Sequence, residues 1–124
     1  MRVLLIDDDP MVRQVLAETL ADEGIEVDGL ANAEDALVLL GAGQVPDVLV
    51  ADIDLGPGLS GLDLAAIARE RHRAVEVVLI SGKPPGPGQI SPDRHERFLQ
   101  KPFAAAALAE AIRAAAAAAA ASHP

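Results

Sequence analysis

The chain contains no cysteine and no cluster of basic residues. Without cysteine it has neither disulfides nor thiolate metal sites, and nothing requires an oxidising compartment. Without a basic cluster it has no run of lysine or arginine side chains to neutralise a series of phosphates. The 19 acidic and 10 basic residues give a net charge of −9, and we read this acidity mainly as ordinary solubility. We therefore expect no nucleic-acid partner.

Long apolar runs are also missing. The run from Val3 to Ile6 is too short for a signal peptide, and no segment has the roughly 18 apolar residues of a spanning helix. The alanine-rich stretch near the end comes closest, but Glu110 and Arg113 interrupt it. We expect a cytoplasmic protein with no membrane partner. Its 124 residues, 51% of them hydrophobic, suit a single domain over 1–124.

Short apolar runs alternate with stretches of helical period at the spacing of β–α units, which predicts an α/β fold with a parallel sheet covered on both faces. The predicted strands are 2–6, 25–30, 47–52, 75–80 and 97–100, and the predicted helices begin at Pro10, Asn32, Leu62 and Ala104. The last helix is expected to continue to about residue 121 and to dock through Leu108 and Ile112. The first helix should bury a stripe formed by Val12, Val15, Leu16 and Leu20.

The segment from Lys83 to Gly88 interrupts this pattern with three prolines and two glycines. Each proline removes a backbone donor and disfavours a helical residue before it, so a loop should replace most of the expected fourth helix. The sequence Ser91-Pro92-Asp93 can begin one short turn before the fifth strand. The three histidines, His72, His95 and His123, have polar neighbours and are expected at the surface.

Polar residues follow four of the predicted strands: Asp7 and Asp8, Asp52, Ser81, and Lys101. Ligands of open α/β sheets bind just beyond such strand ends. Two carboxylates about 4 Å apart repel by roughly 4 kcal/mol at an effective dielectric constant of 20, so three acids at one rim favour a divalent cation. Ligands that are all oxygen favour Mg²⁺. A further acid, Asp9, is expected to cap the first helix.

The motifs at these strand ends resemble those of response-regulator receiver domains from bacterial two-component signalling, and the resemblance covers essentially the whole chain. It rests on four motifs in order, Leu4-Leu5-Ile6-Asp7-Asp8-Asp9, Val48-Leu49-Val50-Ala51-Asp52, Leu79-Ile80-Ser81-Gly82 and Phe98-Leu99-Gln100-Lys101-Pro102-Phe103. The resemblance implies a flavodoxin-like, doubly wound sheet of five parallel strands in the order 2-1-3-4-5. With nothing after the last helix, we expect a stand-alone receiver without an output domain.

The resemblance also implies a role for each residue. Asp7 and Asp8 would hold Mg²⁺, with Asp52 and the backbone carbonyl of Asp54 completing the protein ligands. Asp52 would also be the nucleophile that takes a phosphoryl group from phosphohistidine, and Lys101 would neutralise the charge of that group. Such a protein is not an enzyme in the usual sense, since it catalyses only its own phosphorylation and dephosphorylation.

Two further residues match the family's switch positions. Ser81 would hydrogen-bond the phosphoryl group and pull the loop after the fourth strand inward, and burial of the Phe98 ring would report phosphorylation at the surface. Alternatively, Ser81 is an ordinary turn serine, and Phe98, one of two aromatic residues in the chain, is simply a core residue.

The implied partners are a histidine kinase or a histidine phosphotransfer protein, an unknown downstream protein and, as a further option, a second copy of the chain. Two other functions stay open. Asp52-Ile53-Asp54 also suits a Mg²⁺-dependent phosphohydrolase with an aspartyl nucleophile, although Gly56 stands where such enzymes carry threonine. A pseudo-receiver that binds partners without phosphorylation is the other. The loss of the fourth helix and a loop after Asp52 that is one residue longer than usual are departures from the family pattern.

Overall fold

The computed structural model describes residues 1–91 and 95–121. Within these ranges the chain forms five β-strands and four α-helices. The strands are β1 (Val3–Ile6), β2 (Val27–Leu30), β3 (Val48–Asp52), β4 (Glu76–Ser81) and β5 (Glu96–Gln100). The helices are α1 (Pro10–Asp22), α2 (Ala33–Gly41), α3 (Gly61–Arg71) and α4 (Ala105–Ala121).

All strand pairs are parallel and the order is β2-β1-β3-β4-β5, which confirms the predicted flavodoxin-like sheet. Every residue of β1, β3 and β4 is buried, because these strands lie inside the sheet and both of its faces are covered. Helices α1 and α4 pack on one face, and α2 and α3 pack on the other. The carboxyl ends of the strands therefore share one edge, where the polar residues of the motifs lie.

The ends of the first three helices are set by short polar side chains. Asp9 caps α1 as predicted, and Pro10 occupies its first turn, where no backbone donor is needed. Asn32 caps α2 by accepting the amide hydrogen of Asp35 at 2.8 Å. Ser60 and Asp63 form a reciprocal capping box at the start of α3, one residue earlier than the predicted start of that helix.

The predicted stripe of α1 is wrong at Val15, which is 54% exposed. Val12, Leu16 and Leu20 are spaced by four residues and lie on the side of α1 that turns inward, with Leu20 fully buried. Val15 is rotated from Leu16 by about 100° around the helix axis, which places it on the outer flank. In α4, by contrast, Leu108 and Ile112 are both fully buried, which confirms the predicted docking pair.

The loop that replaces the fourth helix is also as predicted: none of the described residues between β4 and β5, 82–91 and 95, is helical. Ser91 pairs with Glu96 at the start of β5, since the Ser91 amide donates to Glu96 Oε1 at 2.9 Å. The rest of the predicted short turn, Pro92 and Asp93, lies outside the described residues, as does His123. Among the described helices, none has the length and apolar character needed to cross a membrane.

His95 lies at the surface as predicted, with 41% of its side chain exposed, but it also makes a contact with a buried residue that was not predicted. His95 has a left-handed backbone, with φ of 66°, and its Nδ1 contacts Oε2 of Glu76, which is only 1% exposed. The contact depends on the register of β4 with β5, in which Val77 lies opposite Glu96. This places the residue before β5 beside the first residue of β4, a proximity that local sequence does not reveal.

Candidate functional site

The first part of the site follows β1. Asp7 is fully buried and Asp8 is exposed, so the two adjacent carboxylates face different surroundings. Asp7 Oδ1 accepts the amide hydrogen of Asp9 at 3.0 Å, which holds the turn into α1. Asp9 Oδ1 accepts the amide hydrogens of Met11 and Val12, so its carboxylate is committed to capping, as predicted.

Asp52 ends β3 and is 6% exposed. Its Oδ1 accepts the amide hydrogen of Asp54 at 3.0 Å, and its Oδ2 accepts a hydrogen bond from the Lys101 ammonium at 2.8 Å. Behind it, Gly61 approaches so closely that a Cβ there would lie 2.1 Å from the Asp52 carbonyl oxygen. The Asp54 amide and the Lys101 ammonium thus orient the two carboxylate oxygens, and Gly61 packs against the backbone of Asp52.

Lys101 follows β5 and links two of the acids. Its ammonium lies 2.8 Å from Asp52 Oδ2 and 3.3 Å from Asp7 Oδ2. Its amide donates to the Ser81 carbonyl at 2.8 Å, which fixes the strand end that carries the side chain. One flexible ammonium at this position can neutralise charge on a group bound between the two carboxylates.

The pKa values of Asp52 and Lys101 are each set by two opposing effects, burial of the charged group and its attraction to the other. Burial raises the pKa of Asp52 above its ordinary value of 3.8, although the hydrogen bond and charge of Lys101 oppose the rise. Burial also acts to lower the pKa of Lys101, but the hydrogen bond that Lys101 donates to Asp52 and the charges of Asp52 and Asp7 outweigh it, and the net shift is upward from 10.5. The lysine therefore stays charged at neutral pH.

Asp7, Asp8 and Asp52 form what we call the acidic cluster. Each offers one carboxylate oxygen, and these oxygens all lie within 4.8 Å of one another. Three anionic oxygens at this spacing, with no softer ligand in the set, match the preference of Mg²⁺ for carboxylates. The residues present therefore fit the metal that the sequence predicted. The predicted contribution of the Asp54 carbonyl remains a prediction.

The two predicted switch residues lie on the neighbouring strands β4 and β5. Ser81 is 3% exposed, and its Oγ accepts the amide hydrogen of Lys83 at 3.2 Å. Phe98 lies opposite Leu79 in the register of β4 and β5 and packs, partly buried, against the core on the α2 and α3 side. Their positions suit the predicted roles, which stay predictions.

Sequence reasoning missed two supports of the site. The Arg13 guanidinium donates to the Asp7 carbonyl at 2.7 Å, and its stem packs so close to Gly29 that a Cβ there would lie 3.0 Å away. The second support is Gly61, whose close approach to the Asp52 backbone requires glycine. The sequence signal that could have identified it is a glycine directly after Ser60, the serine that caps α3. No local signal identifies Arg13.

Curated proteins with similar sequences include transcriptional regulators. The chain is 37% identical over 114 residues to the C4-dicarboxylate transport transcriptional regulatory protein DctD of Pseudomonas aeruginosa, covering 90% of this chain and 24% of DctD. It is 34% identical over 103 residues to the DNA-binding transcriptional regulator NtrC of Salmonella typhimurium, covering 82% of this chain and 22% of NtrC. The chain spans about a quarter of the length of these relatives. The expected stand-alone character and the absence of a nucleic-acid partner therefore stay predictions.

Solved structures with the same fold include the response regulator TrrA of Thermotoga maritima in complex with Mg²⁺-BeF. TrrA is 30% identical, with a TM-score of 0.81 over 92% of this chain and 97% of TrrA. A response regulator receiver protein of Sinorhizobium medicae is 27% identical, with a TM-score of 0.82 over 96% of both chains. The response regulator receiver domain family itself matches residues 3–113. With its sheet order and its acidic cluster, this chain belongs to the response regulator receiver domain family.

Proposed function

We propose that Asp52 accepts a phosphoryl group from a phosphohistidine in a Mg²⁺-dependent reaction. One observation carries the proposal: a buried carboxylate at the end of β3 has the Lys101 ammonium at 2.8 Å and two further carboxylates within 4.8 Å. This arrangement would supply a nucleophile, a lysine cation and a set of metal ligands around a single point. The family membership supports the same reading, since DctD and NtrC are regulatory proteins.

Asp7, Asp8 and Asp52 would hold the cation, with the backbone carbonyl of Asp54 as the fourth protein ligand. When bound, Mg²⁺ supplies positive charge that neutralises the phosphoryl oxygens and the carboxylates around them. The complex of TrrA with Mg²⁺-BeF supports this assignment, because TrrA and this chain share 30% of their residues and the same fold.

The step itself is a displacement at phosphorus. A carboxylate oxygen of Asp52 forms the new P–O bond, the P–N bond to the donor imidazole breaks, and the imidazole leaves with the electron pair of that bond. The Asp54 amide, 3.0 Å from Asp52 Oδ1, and the Lys101 ammonium, 2.8 Å from Oδ2, orient the carboxylate for this attack. Lys101 stabilises the negative charge of the group in transfer.

Phosphorylation would then be read through Ser81 and Phe98. In the structure the Ser81 hydroxyl oxygen accepts the Lys83 amide, which leaves the hydroxyl proton available to a phosphoryl oxygen. Movement of Ser81 would draw the loop after β4 toward Asp52 and change the burial of Phe98 on the adjacent strand. We infer that the reader is a downstream protein, and that the phosphoryl donor is a histidine kinase or a histidine phosphotransfer protein.

The proposal is tested by intact-mass analysis after incubation with a small-molecule phosphodonor, with and without Mg²⁺, beside Asp52→Asn. We expect a Mg²⁺-dependent gain of one phosphoryl group that the variant does not show. A wild-type protein that gains no group and binds no beryllofluoride would instead be a pseudo-receiver. Release of phosphate over many turnovers would identify a phosphohydrolase and contradict the view that the protein acts only on itself.

A further inference from the structure

The loop between β3 and α3, residues 53–60, runs beside the acidic cluster. A Cβ built at Gly56 would lie 3.7 Å from Asp8 Oδ2, so the loop backbone passes next to that carboxylate. The same loop contains Asp54, whose amide binds Asp52 at 3.0 Å. Its first half is anchored by the buried side chain of Leu55, which is 4% exposed. The position of this loop therefore affects two members of the cluster.

The second half of the loop is held by a residue of a different element. Glu34 lies in the first turn of α2, and its Oε1 accepts the amide hydrogen of Leu59 at 2.9 Å across 25 residues of sequence. This hydrogen bond lowers the pKa of Glu34 below its ordinary value of 4.5, so the carboxylate is ionised at neutral pH. An ionised acceptor makes a stronger bond to a backbone amide than a neutral one.

The loop is shaped to receive this carboxylate. Gly58 has a φ of +97°, a conformation that side chains rarely adopt, and a Cβ there would lie 2.6 Å from Glu34 Oε1. Glycine thus permits both the backbone conformation and the close approach of Glu34. The carboxylate packs against the bare backbone at residue 58 and binds the amide of residue 59, which fixes the loop from outside.

We propose that Glu34 is a positioning residue that holds residues 53–60 beside the acidic cluster and thereby sets the affinity of the cluster for Mg²⁺. This inference rests on the function proposed above. Its physical basis is that groups which orient metal ligands affect affinity without touching the metal. The loop supplies the Asp54 amide that fixes Asp52 and the backbone that lines Asp8, so freeing its second half loosens both.

Two substitutions separate the contact from the charge. Glu34→Asp keeps the charge but withdraws the acceptor by one methylene, whereas Glu34→Gln removes the charge and keeps an acceptor oxygen at the same reach. Asp35→Asn removes an equal charge from the same helical turn and is the matched control. Mg²⁺ affinity would be measured by titration of amide chemical shifts, and the hydrogen bond by hydrogen exchange of the Leu59 amide.

We expect Glu34→Asp to bind Mg²⁺ about fivefold more weakly than wild type and to lose protection of the Leu59 amide. Asp35→Asn should stay within about twofold of wild type, because it leaves the contact of Glu34 unchanged. Glu34→Gln should fall between Asp35→Asn and Glu34→Asp, because its neutral oxygen keeps the contact but makes a weaker hydrogen bond. Unchanged Mg²⁺ affinity in Glu34→Asp would overturn the inference, and so would equal weakening by Asp35→Asn, which would assign the effect to long-range charge. Both readouts are independent of phosphorylation, so a protein that binds Mg²⁺ but takes up no phosphoryl group would contradict only the proposed function.

Discussion

Glu76 and Glu96, at the amino ends of β4 and β5, are as deeply buried as Asp7 and Asp52 at the carboxyl ends of β1 and β3. The two regions compensate this charge differently. At the amino ends each glutamate has its own guanidinium partner. At the carboxyl ends Asp7 and Asp52 share the ammonium of Lys101. A buried charge that has its own partner is costly to unpair, whereas buried negative charge in excess favours the binding of a cation from solution.

The amino-end ion pairs are Glu76 with Arg97 and Glu96 with Arg69, and His95 adds a further contact to Glu76. Arg97 Nη1 lies 3.0 Å from Glu76 Oε1, and His95 contacts the other oxygen of the same carboxylate. Each oxygen of Glu76 therefore has a partner, and the pairs join β4 to β5 on one face of the sheet and α3 to β5 on the other. The acidic cluster has three carboxylates with oxygens within 4.8 Å of one another, and Lys101 is the cationic side chain that pairs with two of them. Negative charge therefore exceeds positive charge at this end of the sheet.

The largest effect should come from packing at the carboxyl end. In Gly61→Ala the new Cβ would lie 2.1 Å from the Asp52 carbonyl oxygen, which forces the backbone apart and should cost more than about 3 kcal/mol of unfolding free energy. Denaturant unfolding measures this, with Gly41→Ala as the control, since nothing lies within 4 Å of a Cβ at Gly41. If both variants unfold at the same denaturant concentration, the close approach behind Asp52 does not exist.

The next effect tests the matched charges. Glu76→Gln keeps the shape of the side chain but leaves Arg97 without an anion and changes the acceptor that His95 contacts, and we expect it to lower the unfolding free energy by about 2 kcal/mol. The exposed Glu110 provides the control, because Glu110→Gln removes the same charge from the surface and should change stability by less than about 0.5 kcal/mol. Equal, small effects at both positions would contradict the structural role of the amino-end ion pairs.

The same kind of substitution should have the opposite sign in the acidic cluster. Because burial raises the pKa of Asp52, its charge is less stable in the folded state than in the unfolded state above pH 3.8. Without Mg²⁺, Asp52→Asn should therefore raise the unfolding free energy by about 1 kcal/mol, since it also removes repulsion from two neighbouring carboxylates.

Thermal unfolding in a chelating buffer and in Mg²⁺ gives the measurement. Added Mg²⁺ should stabilise wild type by about 2.7 kcal/mol at a concentration one hundred times its Kd, and should stabilise the variant less. If Asp52→Asn instead lowers the unfolding free energy without Mg²⁺, then Asp52 is compensated by its neighbours in the way that Glu76 is. The proposed difference between the two ends of the sheet would then be wrong.

The acidic cluster was predictable because its signals are local. An apolar run that stops at a charge, as at Asp52, marks both the end of a buried strand and the residue presented there. The parallel order then brings these ends together without further information. The amino-end ion pairs were not predictable, since Glu76 meets His95 only through the register of two strands. The same limit applies to Gly61 and Glu34, whose contacts cross between elements, and to Val15, whose exposure depends on how α1 is rotated.

The smallest expected effect concerns the titration of Lys101. Its pKa is raised above 10.5, so the stability that it contributes is fully present below that pH and is lost as the pH rises through the higher folded value. Lys101→Arg keeps a cation at the site that does not titrate in this range, so the stability of wild type relative to this variant should fall above pH 10.5, by less than about 1 kcal/mol after solvent screening. The chain has no tyrosine or cysteine and its other lysine is the exposed Lys83, so Lys83→Arg is a matched control that should remove none of the decline. A difference between wild type and Lys101→Arg that does not change with pH would mean that Asp52 and Asp7 do not hold this ammonium, and that the carboxyl end has even less compensation than the structure assigns to it.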